Sequence, residues 1–179
     1  LSTSGGATTI SGASIGSLNV TSTTLSLGAT TISGGLTVSS DGDVSQTGPI
    51  SVAGASAFTL VGANRNIALA SAANDFQGAL SFAGSPQDIA VRNTNASAAA
   101  PTLPAGLGNL NLQYDNAAIA LPAFTLSGSL NLLAGGSVTQ SGAWFVAQTS
   151  AINAGSNAIT LTQANGFGGA VSLTGGATQ

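Results

Sequence analysis

Apolar and polar residues alternate along this chain in runs of only three to five positions. Leu18-Asn19-Val20, Leu25-Ser26-Leu27, Leu36-Thr37-Val38, Ile50-Ser51-Val52, Ile67-Ala68-Leu69, Leu80-Ser81-Phe82 and Ile89-Ala90-Val91 set the beat. Leu110-Asn111-Leu112, Ile119-Ala120-Leu121, Phe124-Thr125-Leu126 and Leu130-Asn131-Leu132 carry it on. A period of two places alternate side chains on opposite faces, so each triplet predicts a short strand with one buried face. Between the triplets lie Gly-Gly, Asp-Gly, Asn-Gly and Ser-Gly pairs, which supply the backbone freedom of sharp corners. No stretch has a 3.6-residue apolar stripe of helical length.

A longer period lies above the short one. Leu36–Gly48 aligns without gaps to Leu130–Gly142, an offset of 130 − 36 = 94. Ile15–Val20 aligns to Leu107–Leu112, an offset of 107 − 15 = 92. Two units of about 90 residues follow, 1–84 and 85–179. Gly84–Val91 also corresponds to Gly175–Gln179 followed by Leu1-Ser2-Thr3, as if the chain were an excerpt from a longer tandem array. The stretch 93–108, with Ala98-Ala99-Ala100-Pro101 and Pro104, breaks the beat and reads as a loop leaving one corner.

Very short strands, frequent corners and a regular larger period fit an all-β solenoid better than a sandwich, whose strands run longer. The expected fold is a right-handed parallel β-helix of about eight coils, roughly 20–25 residues each, four coils to a unit. At ~4.8 Å per coil the rod is about 40 Å long.

Composition agrees with stacking. Charged residues make up 4% of the chain, and Lys, Glu, His, Cys and Met are all absent. Like charges repeated every ~4.8 Å on one face repel, whereas Ser, Thr and Asn stack and hydrogen-bond as ladders. The 43% of hydrophobic residues include only 4% aromatics. A narrow interior of Val, Leu, Ile and Ala accounts for that, with Phe76, Phe82, Phe124 and Phe167 filling corners or interior gaps. A net charge of −3 gives no basic footprint for nucleic acid, and no apolar run reaches the ~18 residues of a membrane-spanning helix. Leu1–Gly6 reads as mature sequence rather than a signal peptide. Absence of Cys suits either a reducing cytoplasm or a chain exported unfolded.

Candidate chemistry is sparse. Without His, Cys or Lys the usual metal, nucleophile and Schiff-base constellations cannot be built, so no catalytic residue and no cofactor is expected. Asp41 and Asp43 flank Gly42; they offer an acid pair or a weak oxygen site for calcium, against the plainer reading of an Asp-Gly-Asp corner. The GGxGxD nonapeptide of calcium-binding β-rolls does not occur. Thr21–Thr24 and Thr30-Thr31 suggest the threonine array of an ice-binding face, but the second unit has Asn, Ala and Gly there. Trp144-Phe145 is a candidate contact or sugar-stacking patch, the alternative being one ring inward and one exposed.

Ile159–Leu173, with its Asn165-Gly166-Phe167-Gly168-Gly169 corner, and Asn74–Phe82 resemble the repeats of filamentous-haemagglutinin-type exoproteins of the Gram-negative two-partner secretion pathway. The resemblance implies a segment of a long secreted surface rod serving adhesion, aggregation or biofilm matrix cohesion. It implies neighbouring rods of the same kind as partners, with polysaccharide or host glycans as ligands. It also implies an outer-membrane transporter that reads an amino-terminal secretion domain, which is not visible in these residues. The rival expectation is a carbohydrate-binding or carbohydrate-processing β-helix.

Overall fold

The computed structural model describes residues 2–176 as strands and corners wound round one axis, with no helix among them. The first coil is β1 (Ser2–Ser4), β2 (Ala7–Ile10) and β3 (Ala13–Ile15). The second is β4 (Leu18–Ser22), β5 (Thr24–Leu27) and β6 (Thr30–Ile32). The third is β7 (Leu36–Ser40), β8 (Val44–Gln46) and β9 (Ile50–Val52). These strands define three faces. β10 (Ser56–Phe76) then runs round all three without interruption, and β11 (Leu80–Asn93) covers the first two.

The remaining strands keep the same order. β12 (Asn109–Tyr114), β15 (Leu130–Ala134), β18 (Ser150–Asn153) and β20 (Val171–Thr174) continue the second face. β13 (Ile119–Leu121) and β16 (Val138–Gln140) form the third, extended by a bridge from Val138 to Ile159. β14 (Phe124–Leu126), β17 (Trp144–Val146) and β19 (Gly166–Phe167) form the first. All of these pairings are parallel, each strand lying over the equivalent strand of the coil before. Eight coils are complete, and β19 and β20 begin a ninth.

Alternation produces the stack. In β4 and β7 the burial pattern alternates along the strand, with Leu18 over Leu36 and Val20 over Val38, all buried. On the second face Leu69, Val91, Leu112, Leu132 and Ile152 form one continuous inward column. Each such side chain contributes about 1.5–3 kcal/mol through burial. Where the coil widens, Phe58 stacks on Phe82 at 5.8 Å and meets Phe76 edge-on at 6.4 Å. Phe76, Phe82 and Phe124 are buried and Phe167 is partly buried.

Two expectations change. Coil length starts below the expected 20–25 residues: Ser2 lies over Asn19 (19 − 2 = 17) and Leu18 over Leu36 (36 − 18 = 18). It reaches 80 − 56 = 24 between Ser56 and Leu80. The early corners are single tight turns, so the coil closes with fewer residues. The 93–108 stretch is not wholly free of the stack, because Thr102 bridges Ser81 and Leu107 bridges Leu126. The correspondence of Ala177-Thr178-Gln179 and Leu1 with Gly84–Val91 falls outside the described residues.

Candidate functional site

Asp41 and Asp43 sit at the corner between the first and second faces of the third coil. Asp43 is one rung of a polar column. Its Oδ1 accepts the Asn66 N–H at 2.8 Å. One rung further on, Asp88 Oδ1 accepts the Asn109 N–H at 2.8 Å, and Asn109 Oδ1 accepts the Ser129 N–H at 2.8 Å. Ser129 and Thr149 share a hydroxyl hydrogen bond at 3.0 Å. The Asp43 carboxylate is thus held as an acceptor for the corner of the next coil. Asp41 is exposed, and among the described residues no group of three or more carboxylate, His or Cys side chains is gathered for a metal ion.

Trp144 and Phe145 separate. Trp144 is fully buried, stacks on Phe124 at 5.2 Å and donates its indole N–H to the Pro122 carbonyl at 3.1 Å. Phe145 is 49% exposed. Its ring lies against Gly166 of the next coil, where an added Cβ would stand 2.7 Å from the ring. With Leu103, Pro104, Ala123, Phe124 and Thr125 it lines a shallow groove of about 380 Å³. A second groove of about 270 Å³ lies at the equivalent place in the first unit, lined by Ala29, Thr30, Thr31, Pro49, Ile50 and Ser51. Under the 94-residue offset Thr31 corresponds to Thr125 and Ser51 to Phe145, so the aromatic floor belongs to the second unit alone.

A buried amide clamp recurs with the units, and it is invisible to a search for corners. Gln46 donates to the Gly48 carbonyl at 2.8 Å and to Asn74 Oδ1, which also accepts the Ile50 N–H at 2.9 Å. Asn74 in turn donates to the Leu69 carbonyl at 2.8 Å. In the second unit Gln140 donates to the Gly142 carbonyl at 2.9 Å and to Asn165 Oδ1 at 2.8 Å, and Trp144 N–H donates to Asn165 Oδ1 at 2.9 Å. Sequence carried the signal: Gln46 aligns with Gln140 in the gapless match, and both asparagines sit in Ala-Asn corners. Their amides spend their donors and acceptors inside the coil, so these residues hold the fold and offer nothing to a ligand.

The ion pair is lateral. Arg92 donates to Asp115 Oδ2 from Nη2 at 2.7 Å and from Nε at 2.9 Å. These hydrogen bonds hold the Asp115 carboxyl below the usual carboxylate range, against the opposing effect of partial burial. Next to it, burial pushes the Tyr114 hydroxyl upward from its ordinary value. That hydroxyl donates to the Ala99 carbonyl at 3.2 Å and ties the 93–108 stretch to the coil.

The outward rungs beside the inward column of the second face are neutral from Ala90 to Ser172. Asn131 donates to Asn111 Oδ1 at 3.1 Å on the second face, with Ala90, Ala151 and Ser172 in line. Compared with known proteins, the chain matches a family model described as repeats of unknown function (DUF5649) twice, over residues 15–83 and 107–174. No curated protein and no solved structure matches it.

Proposed function

The chain belongs to this repeat family (DUF5649), and on that premise we propose that it is a non-enzymatic stalk segment of a long secreted bacterial surface fibre. In this reading the rod supplies reach and stiffness on a Gram-negative cell, and the fibre serves adhesion, aggregation or biofilm matrix cohesion. One observation carries it: the inward column of the second face runs unbroken from Leu69 to Ile152, crossing from the first matched repeat into the second. A solenoid with such a column has no hinge at the repeat boundary, and its stability builds coil on coil. The absence of Cys also suits a chain threaded unfolded across a membrane and folded outside.

The test is a deletion within the full-length protein of the producing bacterium. Removing both repeats shortens the fibre by about 40 Å, from ~4.8 Å per coil, and reduces cell–cell aggregation while leaving surface display intact. A fibre of unchanged length, or a protein confined to the cytoplasm, contradicts the reading. A second reading, a carbohydrate-binding β-helix, is favoured by Phe145, whose exposed ring flanks Thr125 in the groove. It requires that Phe145→Ala lose glycan binding, whereas the stalk reading requires no change.

A further inference from the structure

The two shallow grooves are one feature of the repeat. Ala29, Thr31, Pro49 and Ser51 correspond, under the 94-residue offset, to Ala123, Thr125, Ala143 and Phe145. They do not lie on the same side of the rod. Thr31 and Ser51 are on the third face, Thr125 and Phe145 on the first. Leu36 and Leu130 show the same displacement, from the first face to the second. A repeat is therefore four coils and one further face, thirteen strand positions rather than twelve.

The outward rungs of the two grooves carry different chemistry. In the second unit the partner of Phe145 on the next coil is Gly166. In the first unit Thr31, Ser51 and Asp75 are register partners on three successive coils, ~4.8 Å apart. The Asp75 carboxylate is held by two neutral amides: Oδ1 accepts from Asn95 Nδ2 at 2.8 Å, and Oδ2 from Gln77 Nε2 at 2.8 Å. Arg92 is committed to Asp115, and among the described residues no cation pairs with Asp75. No hydrogen bond within the described residues claims the Thr31 or Ser51 hydroxyl. Ala29, Pro49 and Ala73 supply the apolar part of the lining, and at about 270 Å³ the groove takes one small ring rather than a larger ligand.

We propose that this first-unit groove binds an amino sugar, one residue of a polysaccharide that carries free primary ammonium groups. The ammonium pairs with the Asp75 carboxylate, the apolar face of the ring lies on Pro49 and the neighbouring alanines, and ring hydroxyls bond to Thr31 and Ser51. Charge selects the ligand. The chain carries a net charge of −3, so a polyanionic glycan is repelled, and a neutral one leaves the carboxylate without a counter-charge. Because Asp75 is already oriented by Asn95 and Gln77, little side-chain freedom is lost on binding. The second groove has no carboxylate in its lining, so each chain holds one such site.

Neither reading of the function gives Asp75 a role, and the stalk reading stands whether or not a glycan binds here. The probes are a glucosamine oligomer and its fully N-acetylated counterpart, titrated by calorimetry into the 179-residue chain. The expected result is one site per chain, with the glucosamine oligomer about fivefold tighter at low salt, the value of one solvent-facing ion pair. High salt should remove that advantage. Asp75→Asn should keep the circular dichroism spectrum and bind the two oligomers equally. Ser51→Phe leaves the carboxylate in place and sets a ring in the groove, so it should bind neither. Equal binding of the two oligomers by the wild-type chain, binding of neither, or an unchanged preference in Asp75→Asn would each overturn the proposal. So would a lysine oligomer bound as tightly as the glucosamine one. Should Asp75→Asn unfold, Ser51→Phe decides alone: binding at wild-type strength overturns the placement.

Discussion

Side chains that point inward are where this sequence is least tolerant, and the amide clamp is the clearest case. Asn74 is fully buried and joins three strand segments through its amide. Asn74→Ala leaves the Ile50 N–H and Gln46 without their acceptor, and a buried unpaired group costs about 1–3 kcal/mol. Urea unfolding is expected to show a loss near the upper end of that range, and Asn165→Ala a loss in the same direction. Ser56 and Ser150 predict the opposite. Their hydroxyls are buried without a hydrogen-bond partner, at positions related by the 94-residue offset. Ser56→Ala removes a desolvated polar group, so its unfolding free energy should rise by about 1 kcal/mol. Gly84 tolerates no such change: its φ is +83°, and an added Cβ would stand 1.9 Å from the Leu60 carbonyl oxygen. Gly84→Ala should cost about 3 kcal/mol by the same unfolding measurement.

Among the elements, the strands were legible and the corners were not. Each apolar-x-apolar triplet from Leu18 to Leu132 became a strand segment because a two-residue period has one way to bury its apolar side, whereas Ile159-Thr160-Leu161 makes only a bridge from Ile159 to Val138. The pattern did not reveal that β10 runs round two corners as one strand of 21 residues, with Asn64 at φ +57° turning the first of them. Arg65, Asn66, Ser71 and Ala72 at those corners are polar or small, and read locally as turn residues. Nor did it reveal the short first coils, whose outward Ser and Thr residues conceal where one lap ends. Tyr114 carries no local signal in the sequence, because its role depends on Ala99, 15 residues away. Tyr114→Phe should cost about 1 kcal/mol, and limited proteolysis should cut the 93–108 stretch faster.

Asp115 adds a dependence on acidity. Its folded pKa lies below the unfolded value, so the stabilisation is fully present above about pH 4 and is lost as pH falls through the folded value. The pair is solvent-facing, so the effect is small. Thermal melts between neutral pH and pH 2 should show an acid loss that is smaller in Asp115→Asn.

On the scale of the molecule, low charge, abundant corners and a repeat of about 90 residues sufficed to predict a solenoid with two units. They did not disclose that the repeat and the coil are out of step by one face. That offset is visible only when a strand and its copy are traced to different columns, as with Leu36 and Leu130. Asp41, Asp43 and the Trp144-Phe145 pair looked like candidate chemistry because sequence gives proximity without direction. The fold turns Asp43 into a corner acceptor and sends Trp144 inward, leaving Phe145 alone on the surface.

The winding itself is open to direct test because the chain has no Cys. Thr37 and Ala57 are register partners on adjacent coils with outward side chains, at a separation a disulfide can span. Mass spectrometry of the oxidised Thr37→Cys/Ala57→Cys variant should find near-complete closure of that bond in the folded protein. Failure of this pair to close, with ready closure instead of Thr37→Cys/Thr47→Cys across an antiparallel hairpin at Asp41–Asp43, would contradict the winding and everything built on it.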